Sequence, residues 1–216
     1  MTATTTTTAK TALAEGATPK LVDPTSKKAQ TNPAFPLTVN NLDHIMRFEP
    51  AFGGNQWSTV ARKDQPAGSH LCYITTHKPV PAPTWSSVQT GKQSHIEFDS
   101  ALVYMNHSCA PTVEIEVFSP DDRGLYVDGR AGEVRVVKGR DLKEGDELVW
   151  FYPSTEFISP RPFECRCGAR EGACISMQRG ACYVDPEFLT KHFLNQHIYE
   201  LLEERDGRKL AWKIRG

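Results

Sequence analysis

The sequence predicts a mainly β fold of short strands followed by one C-terminal α-helix. Residues 112–118 alternate between apolar and polar side chains, so the apolar ones share one face of a half-buried strand. Residues 147–152 are an apolar run, which is typical of a buried strand. After the last cysteine, apolar residues recur at the spacing of a helix. These three patterns together favour a compact β domain with little helix.

Shorter segments supply the other strands. Residues 57–61 and 70–75 are expected to be strands, separated by a turn at 66–68 that contains Pro and Gly. Residues 125–127 and 133–137 flank a Gly-containing turn, and we expect them to pair as a hairpin.

The C-terminal helix has recognisable start and stop signals. Asp185 can cap its N-terminus, and Pro186 suits its first position. We expect it to end near Asp206 and Gly207. Its apolar stripe consists of Phe188, Leu189, Phe193, Leu194, Ile198, Leu201 and Leu202. This stripe is expected to pack against the β core of the same chain rather than against a partner.

Composition narrows the function classes. The 216 residues include 25 Lys and Arg against 26 Asp and Glu, a net charge of −1, so bulk charge does not favour binding to nucleic acid or a membrane surface. No apolar run is long enough to span a bilayer, and residues 1–10 lack the apolar block of a secretory signal. We therefore expect a cytoplasmic or nuclear protein. Residues 1–36, rich in Thr, Ala, Lys and Pro, are expected to be a flexible N-terminal arm.

Four of the six cysteines lie between residues 165 and 182. In a chain of this length without a secretion signal, clustered cysteines more often hold metal than form disulfides. Cys165, Cys167 and Cys174 are spaced to reach one ion, and zinc needs a fourth tetrahedral ligand from elsewhere. Free cysteines in a surface loop are the alternative, and Cys72 is expected to be a buried apolar residue.

Four segments together resemble one known family. They are Gln56–Gly68, Asn106–Pro111 (Asn-His-Ser-Cys-Ala-Pro), Leu142–Tyr152, and Phe163–Gly168 with Cys174. In this order and at these distances the chain resembles the SET-domain family, the β-fold protein lysine methyltransferases that use S-adenosylmethionine. The resemblance covers roughly residues 56–174. It implies a SET-like β-clip at 37–160, a post-SET zinc segment at 161–182, and a C-terminal helix and tail at 183–216.

The resemblance implies a set of zinc ligands. Cys109, in the Asn-His-Ser-Cys segment, would join Cys165, Cys167 and Cys174 around the ion. The family usually has four residues between the second and third of the clustered cysteines, whereas this chain has six. Cys182 therefore remains a possible substitute ligand.

The same resemblance implies cofactor and catalytic residues. Asn106 and His107 would contact the methionine part and the adenine ring of S-adenosylmethionine. Phe163 would pack on the adenine, and Trp57 holds the middle position of the family's Gly-x-Gly segment. Tyr152 would border the amine and the transferring methyl. The alternatives are a turn Asn, a hydrogen-bonded core His, ordinary packing of Trp57 and Phe163, and a core Tyr whose hydroxyl is hydrogen-bonded.

This chain also departs from the family pattern. Residues 56–58 read Gln-Trp-Ser instead of Gly-x-Gly, and Val103, Thr112 and Phe151 stand where the family commonly has Arg, Asn and Asp. The insertion that reads the substrate, before Asn106, is short.

Three functions follow from these observations. The favoured one is an S-adenosylmethionine-dependent methyltransferase of SET type acting on a lysine side chain. The second is a SET-like enzyme acting on a small molecule in a biosynthetic pathway. The third is a non-catalytic, zinc-stabilised binding module. The expected partner is a lysine-bearing protein or a small-molecule substrate, with no direct nucleic acid and no membrane, and the sequence does not predict an oligomeric state.

Overall fold

The structure is a computed structural model that describes residues 42–51, 56–170 and 172–207. The predicted N-terminal arm at 1–36 and the tail after Gly207 lie outside the described residues. Among the described residues, no helix has the length and apolar character needed to cross a bilayer.

The described part of the chain contains twelve short strands and two α-helices, joined by loops and short 3-10 turns. The strands are β1 (Met46–Ala51), β2 (Gln56–Ala61), β3 (His70–Tyr73), β4 (His77–Val80), β5 (Ser87–Gln89), β6 (His95–Phe98), β7 (Asn106–His107), β8 (Val113–Val117), β9 (Gly132–Val136), β10 (Val149–Trp150), β11 (Phe163–Glu164) and β12 (Met177–Gln178). The helices are α1 (Pro186–Leu189) and α2 (Gln196–Asp206). The predicted fold class, mainly β with short strands and a C-terminal helix, is confirmed.

The strands pair in five small sheets within the described residues. Two sheets have three strands, in the orders β3-β9-β8 and β4-β6-β5, and all their pairs are antiparallel. β1 pairs with β2, and β11 with β12, also antiparallel. The pair β7 and β10 is parallel, and it brings two distant segments of the chain side by side.

The larger apolar cluster, called here the β core, fills the space between these sheets. Val113 and Ile115 of β8 have no exposed surface, as the alternating pattern of this strand predicts. They lie directly opposite Val136 and Val134 of β9, which are equally buried. Burial of several such side chains supplies most of the stabilisation of this region, at about 1.5–3 kcal/mol each.

The predicted hairpin between residues 125–127 and 133–137 is wrong. β9 pairs with β8 and β3 instead, and Val127 is 84% exposed. The Asp121 carboxylate accepts the backbone N–H groups of Arg123 and Leu125 at 2.9 Å each. These bonds hold the segment in a turn, because a short acidic side chain competes with strand pairing for the backbone donors.

The apolar run at 147–152 forms a strand over Val149–Trp150 alone, although Leu148 to Phe151 are buried as predicted. A 3-10 turn begins at Tyr152. Pro153, next in the chain, cannot donate a backbone hydrogen bond to a neighbouring strand. The strand therefore ends before Tyr152, whose phenol is part of the candidate site.

The single C-terminal helix predicted from Asp185 is two helices. Asp185 caps α1 as expected, accepting the Glu187 N–H at 2.8 Å, and Gly207 ends α2 at φ 63°. The break lies at residues 190–195, because the Asn195 side chain bonds other parts of the backbone. Its amide donates to the Ile115 and Ser154 carbonyls at 2.9 Å each. These bonds hold the chain away from a continuous helix.

The two helices pack in a second apolar cluster, called here the C-terminal lobe. The expectation that they would pack against the β core is therefore wrong. Its buried members are Cys109, Phe151, Ala181, Val184, Leu189, Leu194, Ile198 and Leu202. Cys165, Cys167 and Cys174 are partly buried against it. The lobe therefore unites the cysteines with the C-terminal helices.

Candidate active site and cysteine cluster

The parallel pairing of β7 with β10 assembles the candidate site. Asn106 lies opposite Val149, and His107 opposite Trp150. Tyr152 follows Trp150 by two residues, so the pairing brings it to the end of the Asn-His segment. Two stretches about 45 residues apart in sequence thus supply adjacent side chains, as backbone pairing at fixed register requires.

Asn106 connects this pair of strands to β2. Its side-chain amide donates to the Trp57 carbonyl at 3.2 Å and to Glu147 Oε1 at 3.3 Å. The predicted cofactor residues Trp57 and Asn106 are therefore neighbours in space. Both are half-buried, so each keeps some surface that a ligand can contact.

The His107 ring lies at the centre of the site. Its centroid is 5.2 Å from that of Tyr152 and 6.0 Å from that of Phe163. The Tyr152 backbone N–H donates to His107 Nδ1 at 3.1 Å, so the neutral ring carries its proton on Nε2. Nε2 lies 3.5 Å from the sulfur of Cys109. His107 therefore touches both the predicted catalytic residue and a predicted zinc ligand.

The protonation state of His107 follows from its surroundings. Burial, assisted by repulsion from His192 and opposed by a hydrogen bond to the Trp150 backbone, lowers the pKa of His107 to about 4. The imidazole is neutral at physiological pH, which fits the hydrogen bond that Nδ1 accepts.

Tyr152 is held by its hydroxyl group. The phenol O–H donates to the Met105 carbonyl at 2.9 Å, and the side chain packs against the β core. Burial is the main cause that raises the pKa of Tyr152 above its ordinary value, with repulsion from Glu156 and Glu147 adding to it. The hydroxyl is therefore protonated throughout the physiological range.

Phe163 presents an aromatic ring to both His107 and solvent. It is 38% exposed, and its centroid is 6.1 Å from that of Tyr152. The exposed part of this ring is apolar surface beside His107, of the kind that an aromatic ligand ring can cover.

The structure brings the four predicted zinc ligands together. The sulfur atoms of Cys109, Cys165, Cys167 and Cys174 all lie within 4.8 Å of one another. The Cys109–Cys165 and Cys167–Cys174 sulfurs are 3.8 Å and 3.9 Å apart. Zinc–sulfur bonds of about 2.3 Å in a tetrahedron separate the sulfurs by about 3.8 Å. Among the described residues, Cys182 lies outside this group.

Backbone donors surround the sulfurs. The Ile175 N–H donates to Cys109 Sγ at 3.5 Å, and the Ser176 N–H to Cys174 Sγ at 3.4 Å. Burial opposes ionisation of Cys167, but amide N–H groups and neighbouring thiols outweigh it and lower the pKa of this thiol to about 7. Burial raises the pKa of Cys165 to about 12. Crowded thiolates repel one another, and a divalent cation compensates that repulsion.

His192 supports the cluster from the C-terminal lobe, and sequence reasoning missed it. Its Nε2 lies 3.0 Å from the Cys109 carbonyl oxygen. Its ring stacks on Phe151, with centroids 4.0 Å apart and planes at 19°. The residue lies 83 positions from Cys109 in sequence, so no local pattern indicates the contact.

No family model matches the chain. The methyltransferase flvH of Aspergillus flavus is 40% identical over 137 residues, which are 63% of this chain and 69% of that protein. This chain belongs to the same methyltransferase family. A crystal structure of KRYPTONITE in complex with mCHG DNA and SAH overlaps 56% of this chain and 26% of that chain, with a TM-score of 0.42 and 18% identity.

In this methyltransferase, the positions that depart from the SET pattern have contacts of their own. The Thr112 hydroxyl donates to the Glu147 carbonyl at 2.7 Å and accepts the Val149 N–H at 3.0 Å. Phe151 stacks on His192 in the C-terminal lobe, and Val103 packs against the β core. These side chains hold the strands that carry the site, by packing and neutral hydrogen bonds.

Proposed function

We propose that this protein is an S-adenosylmethionine-dependent methyltransferase of SET type that methylates the side-chain amine of lysine. The observation that carries the proposal is the contact chain from Trp57 through Asn106 and His107 to Tyr152 and Phe163. The Asn106 amide donates to the Trp57 carbonyl, His107 is the next residue in the chain, and ring contacts join His107, Tyr152 and Phe163. Five residues chosen from sequence motifs alone thus lie next to one another.

In this proposal the surface holds the cofactor by its two ends. Asn106 and His107 receive the methionine part and the adenine, with the exposed ring of Phe163 packing on the adenine and Trp57 beside it. The cofactor supplies an electrophilic methyl group on a sulfonium. The exposed aromatic ring of Phe163 supports this fit, because an adenine ring covers such surface favourably.

Tyr152 orients the nucleophile in this proposal. A free lysine amine has a pKa of about 10.4 and is protonated in water, but an apolar channel favours the neutral amine. The Tyr152 hydroxyl already directs its proton to the Met105 carbonyl. Its oxygen lone pairs are left to accept an N–H of the neutral amine, which turns the nitrogen lone pair toward the methyl donor. The contribution of the protein is then mostly positioning.

The four cysteines hold zinc in this proposal, in a post-SET segment. Zinc there is structural, because four thiolates leave no open coordination position. Cys109 lies two residues after His107, so fixing this thiol also fixes the Asn-His segment. A cytoplasmic or nuclear location belongs to the same proposal, because thiols stay reduced and available to metal in those compartments.

A small-molecule amine is the second candidate substrate. The segment between β3 and Asn106 holds one three-stranded sheet, β4-β6-β5, and one 3-10 turn at Ala101–Tyr104. This leaves little structure for gripping a polypeptide. Transfer of radiolabelled methyl to recombinant histones or to free L-lysine separates the two substrate classes. We propose no nucleic-acid or membrane partner in either case.

The central experiment is titration with S-adenosylmethionine by calorimetry, followed by the methyl-transfer assay. Saturable binding together with transfer supports the enzyme. No heat of binding and no thermal shift would instead favour the non-catalytic, zinc-stabilised binding module. Tyr152→Phe is expected to lower turnover about tenfold or more, since the amine loses its acceptor. Tyr183→Phe, at an exposed tyrosine outside the ring contacts, is the matched control and should leave turnover unchanged.

A further inference from the structure

Glu156 is a buried acidic residue that the proposed function does not use. Among the described residues, Glu133 and Glu156 are the two buried carboxyl groups, at 7% and 5% exposure. The Glu133 carboxylate accepts a hydrogen bond from the Arg135 guanidinium and lies 2.9 Å from His70 Nδ1. The hydrogen-bond donors to Glu156 are instead neutral, and its Oε2 has no partner within the described part of the chain. An unmatched buried carboxyl group destabilises a fold, so its presence calls for a physical reason.

Gln89, at the end of β5, bonds both the carboxyl group of Glu156 and the backbone of the next residue, Phe157. Glu156 Oε1 accepts the Gln89 backbone N–H at 2.8 Å. In return, the Gln89 side-chain oxygen accepts the Phe157 N–H at 3.0 Å. Two hydrogen bonds, one buried and one partly buried, thus hold residues 156–157 against a strand of the β4-β6-β5 sheet.

The same turn carries Tyr152. The Tyr152 carbonyl accepts the N–H of Thr155 at 3.1 Å and that of Glu156 at 3.0 Å. On the other side, the Glu156 carbonyl accepts the Ala181 N–H at 2.8 Å. Gly180 makes this approach possible, because its φ is +98° and a Cβ there would lie 2.5 Å from the Phe157 oxygen. The backbone from Tyr152 to Phe157 is therefore fixed from both sides.

The charge of Glu156 also acts on the phenol. Burial raises the pKa of Glu156 to about 7, against the effect of the Gln89 and Thr155 donors. After burial, repulsion from Glu156 is the largest cause of the raised pKa of Tyr152. An apolar side chain of similar size would fill the same space without either the hydrogen bonds or the charge.

We propose that Glu156 is a positioning residue for Tyr152, fixing through Gln89 the turn from which the phenol reaches the Met105 carbonyl. The effect on methyl transfer rests on the proposed function above. The fixed position of the turn does not, and a measurement without substrate detects it.

The first test observes Tyr152 directly, in protein labelled on its tyrosine rings. The Tyr152→Phe variant assigns the ring resonance of Tyr152 by NMR. Glu156→Ala should shift or broaden that resonance, whereas Glu156→Gln should preserve it because the amide keeps an acceptor for the Gln89 N–H. Glu133→Ala is the matched control, since it removes the other buried carboxyl group and should leave the resonance in place. An unchanged resonance in Glu156→Ala overturns the proposal.

A second variant decides the matter if Glu156→Ala does not fold. Gln89→Leu removes the bond to the Phe157 N–H and leaves the carboxyl group in place. It should move the Tyr152 resonance in the same direction. A folded Gln89→Leu protein with the wild-type resonance rejects the proposed link.

Methyl-transfer kinetics then test whether the effect passes through the phenol. With radiolabelled S-adenosylmethionine and whichever of histone or L-lysine accepts methyl, Glu156→Ala should lower kcat about tenfold and change the KM for the cofactor less than about twofold. Added to Tyr152→Phe, it should cause no further loss, because residues that act as a unit are not additive. Losses that multiply overturn the positioning role. If the wild-type protein transfers no methyl, the proposed function fails, while the NMR result still decides the link.

Discussion

The β core and the C-terminal lobe are held together by different kinds of contact. In the β core, Ile115 and Val134 face each other with no exposed surface, in sheets whose side chains alternate regularly. In the C-terminal lobe, residues of the two helices pack with the four cysteines of the thiol group. The β core buries many apolar side chains, whereas the lobe buries fewer and contains a helix, α1, of only four residues. A metal bound by the four cysteines would therefore stabilise the C-terminal lobe far more than the β core.

Removal of a cysteine is expected to give the largest difference in stability between the C-terminal lobe and the β core. Cys109→Ser should reduce bound zinc from about one per chain to less than about 0.2, since three thiolates hold zinc poorly. Structural zinc contributes on the order of 10 kcal/mol to the folding of small sites, so residues 181–206 should lose protection from hydrogen exchange. Strands β8 and β9 should retain theirs.

Cys182→Ser is the matched control for that substitution. Cys182 lies outside the thiol group, so the variant should bind zinc and protect the lobe as the wild type does. A chelator added to the wild-type protein should reproduce the effect of Cys109→Ser. Equal loss of protection in β8, β9 and the lobe would mean that the two regions unfold as one unit. That result would contradict separate stabilisation of the β core and the lobe.

The converse experiment makes a cavity in the β core. Ile115→Ala should lower the free energy of unfolding by about 2–5 kcal/mol, because the lost methyl groups leave a void in a packed interior. Val127→Ala, at a side chain that is 84% exposed, should change it by no more than about 0.5 kcal/mol. Denaturant titration measures both. Zinc content should stay at the wild-type level in the folded Ile115→Ala protein, and a drop there would contradict the separation of the two regions.

Asn195 links the two regions, so its loss should affect both. Its amide donates to the Ile115 carbonyl of β8, and its Oδ1 accepts the Val117 N–H at 2.8 Å. Asn195→Ala removes the side-chain partner of the Ile115 carbonyl and of the Val117 N–H and should lower the free energy of unfolding by about 2–3 kcal/mol. Hydrogen exchange should increase in both β8 and α2. An increase confined to α2 would show that Asn195 serves the lobe alone.

The two regions also differ in what their sequences reveal. The period-two pattern of residues 112–118 predicts β8 correctly, because each side chain's environment alternates locally. The break between α1 and α2 is not predictable in this way. It depends on bonds from Asn195 to a strand 78 and 80 residues away. The failed hairpin at 125–127 has a related origin, since β9 pairs with β8 across a longer loop and with the distant strand β3.

Some residues of the candidate site can be predicted from the sequence, and others depend on distant contacts. Resemblance to the SET family selects Asn106, His107, Tyr152 and Phe163, and the structure places them in contact, while their roles stay predictions. Residues that touch these from elsewhere, such as His192 and Glu156, have no motif. Their contribution depends on tertiary contacts that a single sequence does not encode as a pattern.

The smallest expected effect tests how the lobe supports the cysteines. His192→Phe preserves the aromatic stack on Phe151 but removes the hydrogen bond to the Cys109 carbonyl. Partners behind metal ligands commonly change metal affinity by about tenfold or more, so zinc should transfer to a chelator about tenfold faster at this site. His77→Phe, which removes a contact to the Gly129 carbonyl in another part of the fold, should leave the transfer rate unchanged. If both variants release zinc at the wild-type rate, the lobe contributes packing to the cysteine cluster but does not orient its ligands.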